Sequence, residues 1–106
     1  MSDALFQQMS SVQDITQPVP QTIASATTIS PTTFLTFITG AVAISTINPF
    51  TTGAHMICLI FTNGSPAAFS VAGNVKTAIQ PIQNLPVFLI YDPVTALWWG
   101  APGLLT

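Results

Sequence analysis

His55 is the one side chain in this sequence suited by its ordinary pKa to move protons near neutral pH, and Cys58 is the one thiol. A catalytic histidine needs a group within reach that gives or takes the proton, and commonly a carboxylate to orient its ring. The carboxylates on offer are Asp3, Asp14 and Asp92, scattered along the chain, and Lys76 is the sole basic side chain. One histidine on an apolar strand is more often a hydrogen-bonded core or interface residue than a catalyst. Cys58 lies inside an apolar run and reads as a buried, inert thiol, since nucleophilic cysteines sit in electropositive, accessible places. A lone cysteine excludes an internal disulfide and any cysteine-rich metal site. One His and one Cys fall short of a metal's ligand set, unless a symmetry axis gathers three copies of His55. Serine and threonine are abundant but have no base beside them, so a hydroxyl nucleophile has no activation, and no glycine-rich phosphate loop is present. The residues therefore assign no catalytic, metal or cofactor site, and an enzyme is the last of the readings.

Aromatic residues are the other candidates for chemistry. Trp98 and Trp99 are adjacent, so on a strand they face opposite ways. Trp98 is expected in the core or a subunit interface. Trp99 is the candidate exposed aromatic, able to meet another subunit or stack on a sugar, with packing the commoner use of such a ring.

The elements that position these residues read as β from Gln21 onward. Segments 22–29, 33–39 and 41–47 are rich in Thr, Ile, Val and Phe, as half-buried pleated surfaces favour, with Pro31 and Gly40 between them. Asn48-Pro49 opens a loop through Gly53. Segment 54–62 is the strongest strand: His55, Ile57, Leu59 and Phe61 share one face, Met56, Cys58 and Ile60 the other, and both faces are apolar enough to predict cover on two sides. Asn63-Gly64 supplies the positive φ angles of a tight hairpin turn, and strand 68–71 follows Pro66. A second turn is expected at Gly73-Asn74, with Gly73 at positive φ, followed by strand 75–79. Strand 87–91 carries Phe88 and Ile90. Asp92-Pro93-Val94-Thr95 is a turn with proline at its favoured second position, and 96–99 is the last strand. The residues expected in the core or at a subunit interface are Ile57, Leu59, Phe61, Phe88, Ile90 and Trp98.

Residues 1–20 differ. Leu5, Phe6, Met9 and Val12 fall at spacings that make one apolar helical face, and Pro18 and Pro20 then stop any helix. A helix so short is marginal alone, so residues 1–20 are expected to be an arm that orders on a partner, ahead of a β-domain over 21–106. The candidate attachment residues are those four.

Composition narrows the partners. Of 106 residues only 4% are charged while 49% are hydrophobic. Soluble monomers carry about a quarter of their residues charged. A chain of this size buries roughly 65% of its extended surface on folding, too little to hide all its large apolar side chains, and large exposed apolar patches mark interaction sites. Self-association is the expectation. A single lysine leaves no electrostatic footprint for nucleic acid. Segment 34–47, the longest membrane candidate, is short and interrupted by Gly40 and hydroxyl residues, so no membrane partner is expected. The first residues lack the basic flank and apolar stretch of a signal peptide, which suggests a protein made in the cytoplasm that reaches its place by assembly.

An ordered series of motifs runs through the β-region: Ala-Ile-Ser-Thr-Ile-Asn-Pro over 43–49, Gly53, Ile-Cys-Leu-Ile-Phe over 57–61, Phe-Ser-Val-Ala-Gly-Asn-Val over 69–75, Ile-Tyr-Asp-Pro-Val-Thr over 90–95, and Trp98. With 22–31 upstream, this series resembles a module recurrent in virion proteins of tailed bacteriophages: small capsid decoration proteins, head fibres and segments of tail-associated fibres. The resemblance covers most of 22–99. It implies a β-structured module, commonly a homotrimer, displayed on the particle and without enzymatic activity, whose partners are copies of itself and the major capsid protein or another virion protein. The chain departs from the module in Leu97-Trp98-Trp99, where members often carry a basic or polar residue between aromatics, and in its lower charge. The combined expectation is an all-β fold, a small antiparallel barrel or sandwich of about seven short strands with an extended N-terminal arm, assembled as an intertwined homotrimer on a capsid surface. The competing readings are a host-recognition module on a tail fibre or tip that binds glycans through exposed aromatics, and a non-viral self-assembling surface protein.

Overall fold

Period-two alternation along segment 55–61 sets the plan of the molecule, because it hands Ile57, Leu59 and Phe61 to one face of a strand and leaves Met56 and Ile60 on the other. The computed structural model describes residues 19–100, so Leu5, Phe6, Met9 and Val12 lie outside the described residues. Seven strands follow in order: β1 (Gln21–Ala24), β2 (Thr28–Ile29), β3 (Leu35–Thr39), β4 (Thr46–Ile47), β5 (His55–Phe61), β6 (Pro86–Asp92) and β7 (Leu97–Gly100). No helix occurs among the described residues. The fold is all-β.

The strands form a five-stranded sheet in the order β1-β3-β5-β6-β7 and a two-stranded sheet of β2 and β4. This corrects the expected antiparallel barrel or sandwich. The larger sheet is open and mixed: β1 and β3 pair in parallel, as do β3 and β5, whereas β5-β6 and β6-β7 are antiparallel. β2 and β4 are also parallel, with Thr28 opposite Thr46 and Ile29 opposite Ile47. Parallel neighbours need a crossover of a dozen or more residues. Here each crossover supplies a strand to the small sheet, so from β1 to β5 the chain coils through two layers. The single strand expected over 22–29 is thus two, since the chain leaves one layer for the other at Ser25, whose N–H donates to the Thr39 carbonyl at 2.7 Å and whose hydroxyl accepts from Val42 N–H at 2.9 Å. Only 46–47 of the expected strand 41–47 pairs as one.

The core lies between the large sheet's inner face and everything laid over it. Ile38, Ile57, Leu59, Phe61, Leu89 and Trp98 from the large sheet pack with Ile29, Ile44 and Ile47 around the small one and with Phe69, Val75 and Ile79 from the connection 62–85. Each such side chain contributes about 1.5–3 kcal/mol by leaving water. That connection corrects two further expectations. Asn63-Gly64 does not close a hairpin: the antiparallel partner of β5 begins only at Pro86, Gly64 is not among the positive-φ glycines, and Asn63 Oδ1 instead accepts the Ser65 N–H at 2.7 Å. Segments 68–71 and 75–79 are not strands either, apart from a single bridge between Val75 and Trp98. The core needed a lid, and a hairpin at 63–64 would have taken Phe69 and Ile79 away from it.

The β6-β7 hairpin forms as read from Asp92-Pro93-Val94-Thr95, closing with Ala96 at φ 58. A β-carbon in that left-handed region costs about 1–2 kcal/mol. Ala96→Gly is therefore expected to raise stability by about 1 kcal/mol in chemical denaturation, once the added freedom of the unfolded chain is subtracted; an unchanged or lower midpoint would refute the strain.

Candidate functional site

A row of directly paired residues crosses three strands of the inner face: His55 on β5, Tyr91 on β6 and Trp98 on β7. The rings touch, His55 lying 5.2 Å from Trp98 edge-on and 5.5 Å from Tyr91 between ring centres, with Phe50 closing a third side at 4.9 Å. His55 Nδ1 donates to the Gly53 carbonyl at 2.8 Å, since a carbonyl only accepts. Its Nε2 is buried without a partner. No nucleophile or carboxylate stands at that nitrogen among the hydrogen bonds of the described residues, and the Asp92 carboxylate is committed elsewhere. The aromatic enclosure makes His55 a packing residue that ties the 50–55 loop to the sheet.

Asp92 holds the β6-β7 turn. Its Oδ2 accepts from the Thr95 hydroxyl at 2.8 Å and its Oδ1 from the Val94 N–H at 2.9 Å. These bonds, the Thr95 hydroxyl first, hold its carboxyl below the ordinary carboxylate value. Because the folded pKa is depressed, this contribution is complete above the unfolded value of about 4 and fades as pH falls through the folded one. Stability is expected to stay level from neutral pH down to about 5, then decline further into acid, with Asp92→Asn flattening the decline while keeping the acceptor for Val94. A large loss of stability between pH 7 and 5 would contradict it.

Cys58 is 4% exposed, and burial pushes its thiol pKa up, away from the reactive thiolate. Among the described residues no three His, Cys, Asp or Glu side chains gather as a metal ion would require. Comparison with protein-family models, curated proteins and solved structures finds no match.

The remaining candidates divide by face. Ile57, Leu59, Phe61 and Trp98 point inward and are buried. Phe88 and Ile90 do not join that core: they alternate with buried Val87, Leu89 and Tyr91 on β6 and are 38% and 54% exposed. Trp99 is 47% exposed beside Ile90, its direct partner across β6 and β7. Met56 pairs with Ile90 from the other side, so Met56, Ile90 and Trp99 make one apolar row on the outer face of the sheet. The expectation that β5 is covered on both sides is thereby corrected. Among the described residues its outer face is only partly covered, with Met56 exposed, Ile60 half-buried and Cys58 buried, while the small sheet and the 62–85 connection pack their core residues on the inner face.

Gly73 and Asn74 matter for a different reason than a turn with positive φ. Gly73 is not in the left-handed region; Gly40 is the described glycine that is. Asn74 instead behaves as a piece of strand. Its Oδ1 accepts the Ile47 N–H and its Nδ2 donates to the Ile47 carbonyl, both at 2.9 Å. The same carbonyl accepts Trp98 Nε1 at 2.9 Å, and the Asn74 carbonyl accepts the Trp98 N–H at 2.7 Å. β4 and β7 are thus clasped through one asparagine. Neither the clasp nor the outer-face row shows in any local motif, but the near-repeat Thr28-Ile29-Ser30-Pro31 and Thr46-Ile47-Asn48-Pro49 does signal stacked strands. Those segments lie side by side, with Asn48 Nδ2 donating to Ser30 Oγ at 2.9 Å.

Proposed function

We propose that this chain is a non-enzymatic virion structural protein, a capsid decoration or head-fibre protein that assembles as a homotrimer through 22–99 and attaches to the major capsid protein or another virion protein through residues 1–20. The observation that carries the reading is apolar surface without charge. Met56, Phe88, Ile90 and Trp99 stand exposed on one sheet face, and Lys76 and Asp92 are the only Lys, Arg, Asp or Glu residues within 19–100. Such a surface suits burial against protein, and the His55 surroundings offer nothing to a reaction. A decoration protein acts by bridging neighbouring shell subunits, for which an interface of standard size suffices.

Purified protein is expected to sediment as a trimer. Removing residues 1–20 should abolish binding to undecorated capsids and leave the trimer intact, and binding should change little between low and moderate salt, since few charges are there to be screened. A monomer in solution, or a steep loss of attachment with salt, would overturn the reading.

Trp99 favours one second reading, a host-recognition module presenting an aromatic face to glycans. Its strand neighbours weigh against this, because Ile90 and Met56 bring no hydrogen-bonding groups and sugar sites need them. Glycan binding abolished by Trp99→Ala, with the oligomer unchanged, would establish it over attachment to a capsid.

A further inference from the structure

The outer face of the five-stranded sheet is the largest feature that the fold leaves unexplained. β6 sends Phe88 and Ile90 to it, β5 sends Met56, Cys58 and Ile60, and β7 sends Trp99, as the registers Met56–Ile90, Cys58–Phe88 and Ile90–Trp99 require. Leu35, opposite Cys58, and Phe37, opposite Ile60, extend it over β3. Cys58 is buried within this face.

Size and charge identify what this face meets. Met56, Phe88, Ile90 and Trp99, between 38% and 54% exposed, together present on the order of 400 Å² of apolar surface, given roughly 200 Å² for a large side chain. The half-buried Leu35, Phe37 and Ile60 bring the face to at most about 600 Å², the lower end of one side of a standard interface. Among the described residues its one charged position is Asp92, at the end of β6 next to the turn, and that carboxylate is taken up by Val94 and Thr95. A partner bearing charge would find nothing here to pair with. A surface equally poor in charge is what it fits, and this chain, with 4% charged residues, carries that surface itself. Three copies of this face, turned toward a threefold axis, also meet without like-charge repulsion.

We propose that copies of this chain associate through the outer face of the five-stranded sheet, with Phe88 and Ile90 at the centre of the contact and Met56 and Trp99 beside them. The proposal rests on the self-association put forward above and assigns it a surface; it is independent of any attachment to a virus particle.

The test uses the full chain and reads tryptophan quenching by acrylamide beside mass by light scattering, over a range of protein concentration. Trp98 is fully buried and Trp99 half exposed in a single copy. At high concentration both indoles should resist quenching, and on dilution to monomer the Trp99 part of the emission should become accessible. Ile90→Lys places an unpaired charge in the contact and should weaken association at least tenfold. Ile90→Thr, which retains a strand-forming side chain, should weaken it in the same direction and serves where the lysine variant does not fold. A wild-type monomer at all concentrations would overturn the self-association reading and this assignment together. A wild-type oligomer that both folded variants leave intact would overturn the assignment alone. Quenching protection that is independent of concentration and disappears when residues 1–18 are removed would show that the chain's own N-terminal segment covers the face, which also overturns it.

Discussion

Trp98→Ala should lower stability by about 3–5 kcal/mol, the range for deleting a large aromatic from a core. In a domain of this size each kcal/mol moves the midpoint by about 4–8 °C, so thermal melts should show a fall of at least 12 °C. The expectation rests on how many parts of the molecule this one residue joins. Its ring is fully buried against Tyr91 at 4.9 Å and His55 at 5.2 Å, and its indole N–H reaches the Ile47 carbonyl in the other sheet. Truncation would leave a large cavity where the sheets meet. Trp98→Phe separates volume from hydrogen bonding. It keeps most of the ring, and the Ile47 carbonyl retains its bond from Asn74 Nδ2, so its cost should fall to about 1–2 kcal/mol. A loss below about 1 kcal/mol for Trp98→Ala would mean that the two sheets do not depend on this side chain.

Local patterns carried part of this architecture and not the rest, for a physical reason. Alternation identifies which residues of a strand share a face, so the segment around Ile57, Leu59 and Phe61 was readable, as were the opposed directions of Trp98 and Trp99. Alternation is silent on which strand lies alongside. Parallel pairing is announced in most proteins by a helix in the crossover. In this chain the crossovers are loops and two-residue strands, and the pairs looked like consecutive antiparallel ones. Only the repeat of Thr-Ile-Ser-Pro at 28–31 by Thr-Ile-Asn-Pro at 46–49 points to stacked coils. Asn63-Gly64 shows the opposite failure, a strong local turn signal overridden because Phe69, Val75 and Ile79 gain more by covering the core. Of the candidate residues, Phe88 and Ile90 were recognisable as apolar strand positions, but whether they face the core or solvent depends on where the 62–85 connection runs, and that is a property of the whole fold.

Gly73→Ala is the sharper test of the clasp between the layers, because one added methyl group should cost about 2–4 kcal/mol with no change in backbone preference. A β-carbon at that position would overlap the Ser45 carbonyl oxygen and stand 2.5 Å from Thr46 Oγ1 and 2.6 Å from the Ser45 carbonyl carbon. Two of these three atoms are backbone of the segment entering β4, so no rotamer change relieves the contact. Either β4 or the 73–75 segment must move, and forced repacking costs about 1–3 kcal/mol. Movement of either also pulls Asn74 from Ile47, whose N–H is buried in the core and would lose its acceptor, for about 1–3 kcal/mol of its own. Gly53→Ala is the matched control: its added methyl group meets nothing within 4 Å at an ordinary φ, and it should be neutral or slightly stabilising. Asn74→Ala provides the cross-check. If the methyl group acts by opening the asparagine clasp, the double variant Gly73→Ala/Asn74→Ala should cost clearly less than the sum of the two single changes. Strict additivity would mean that the crowding at Ser45 and the Asn74–Ile47 pairing are independent supports of the fold, and equal melting of Gly73→Ala and Gly53→Ala would show that the layers do not approach each other at Gly73.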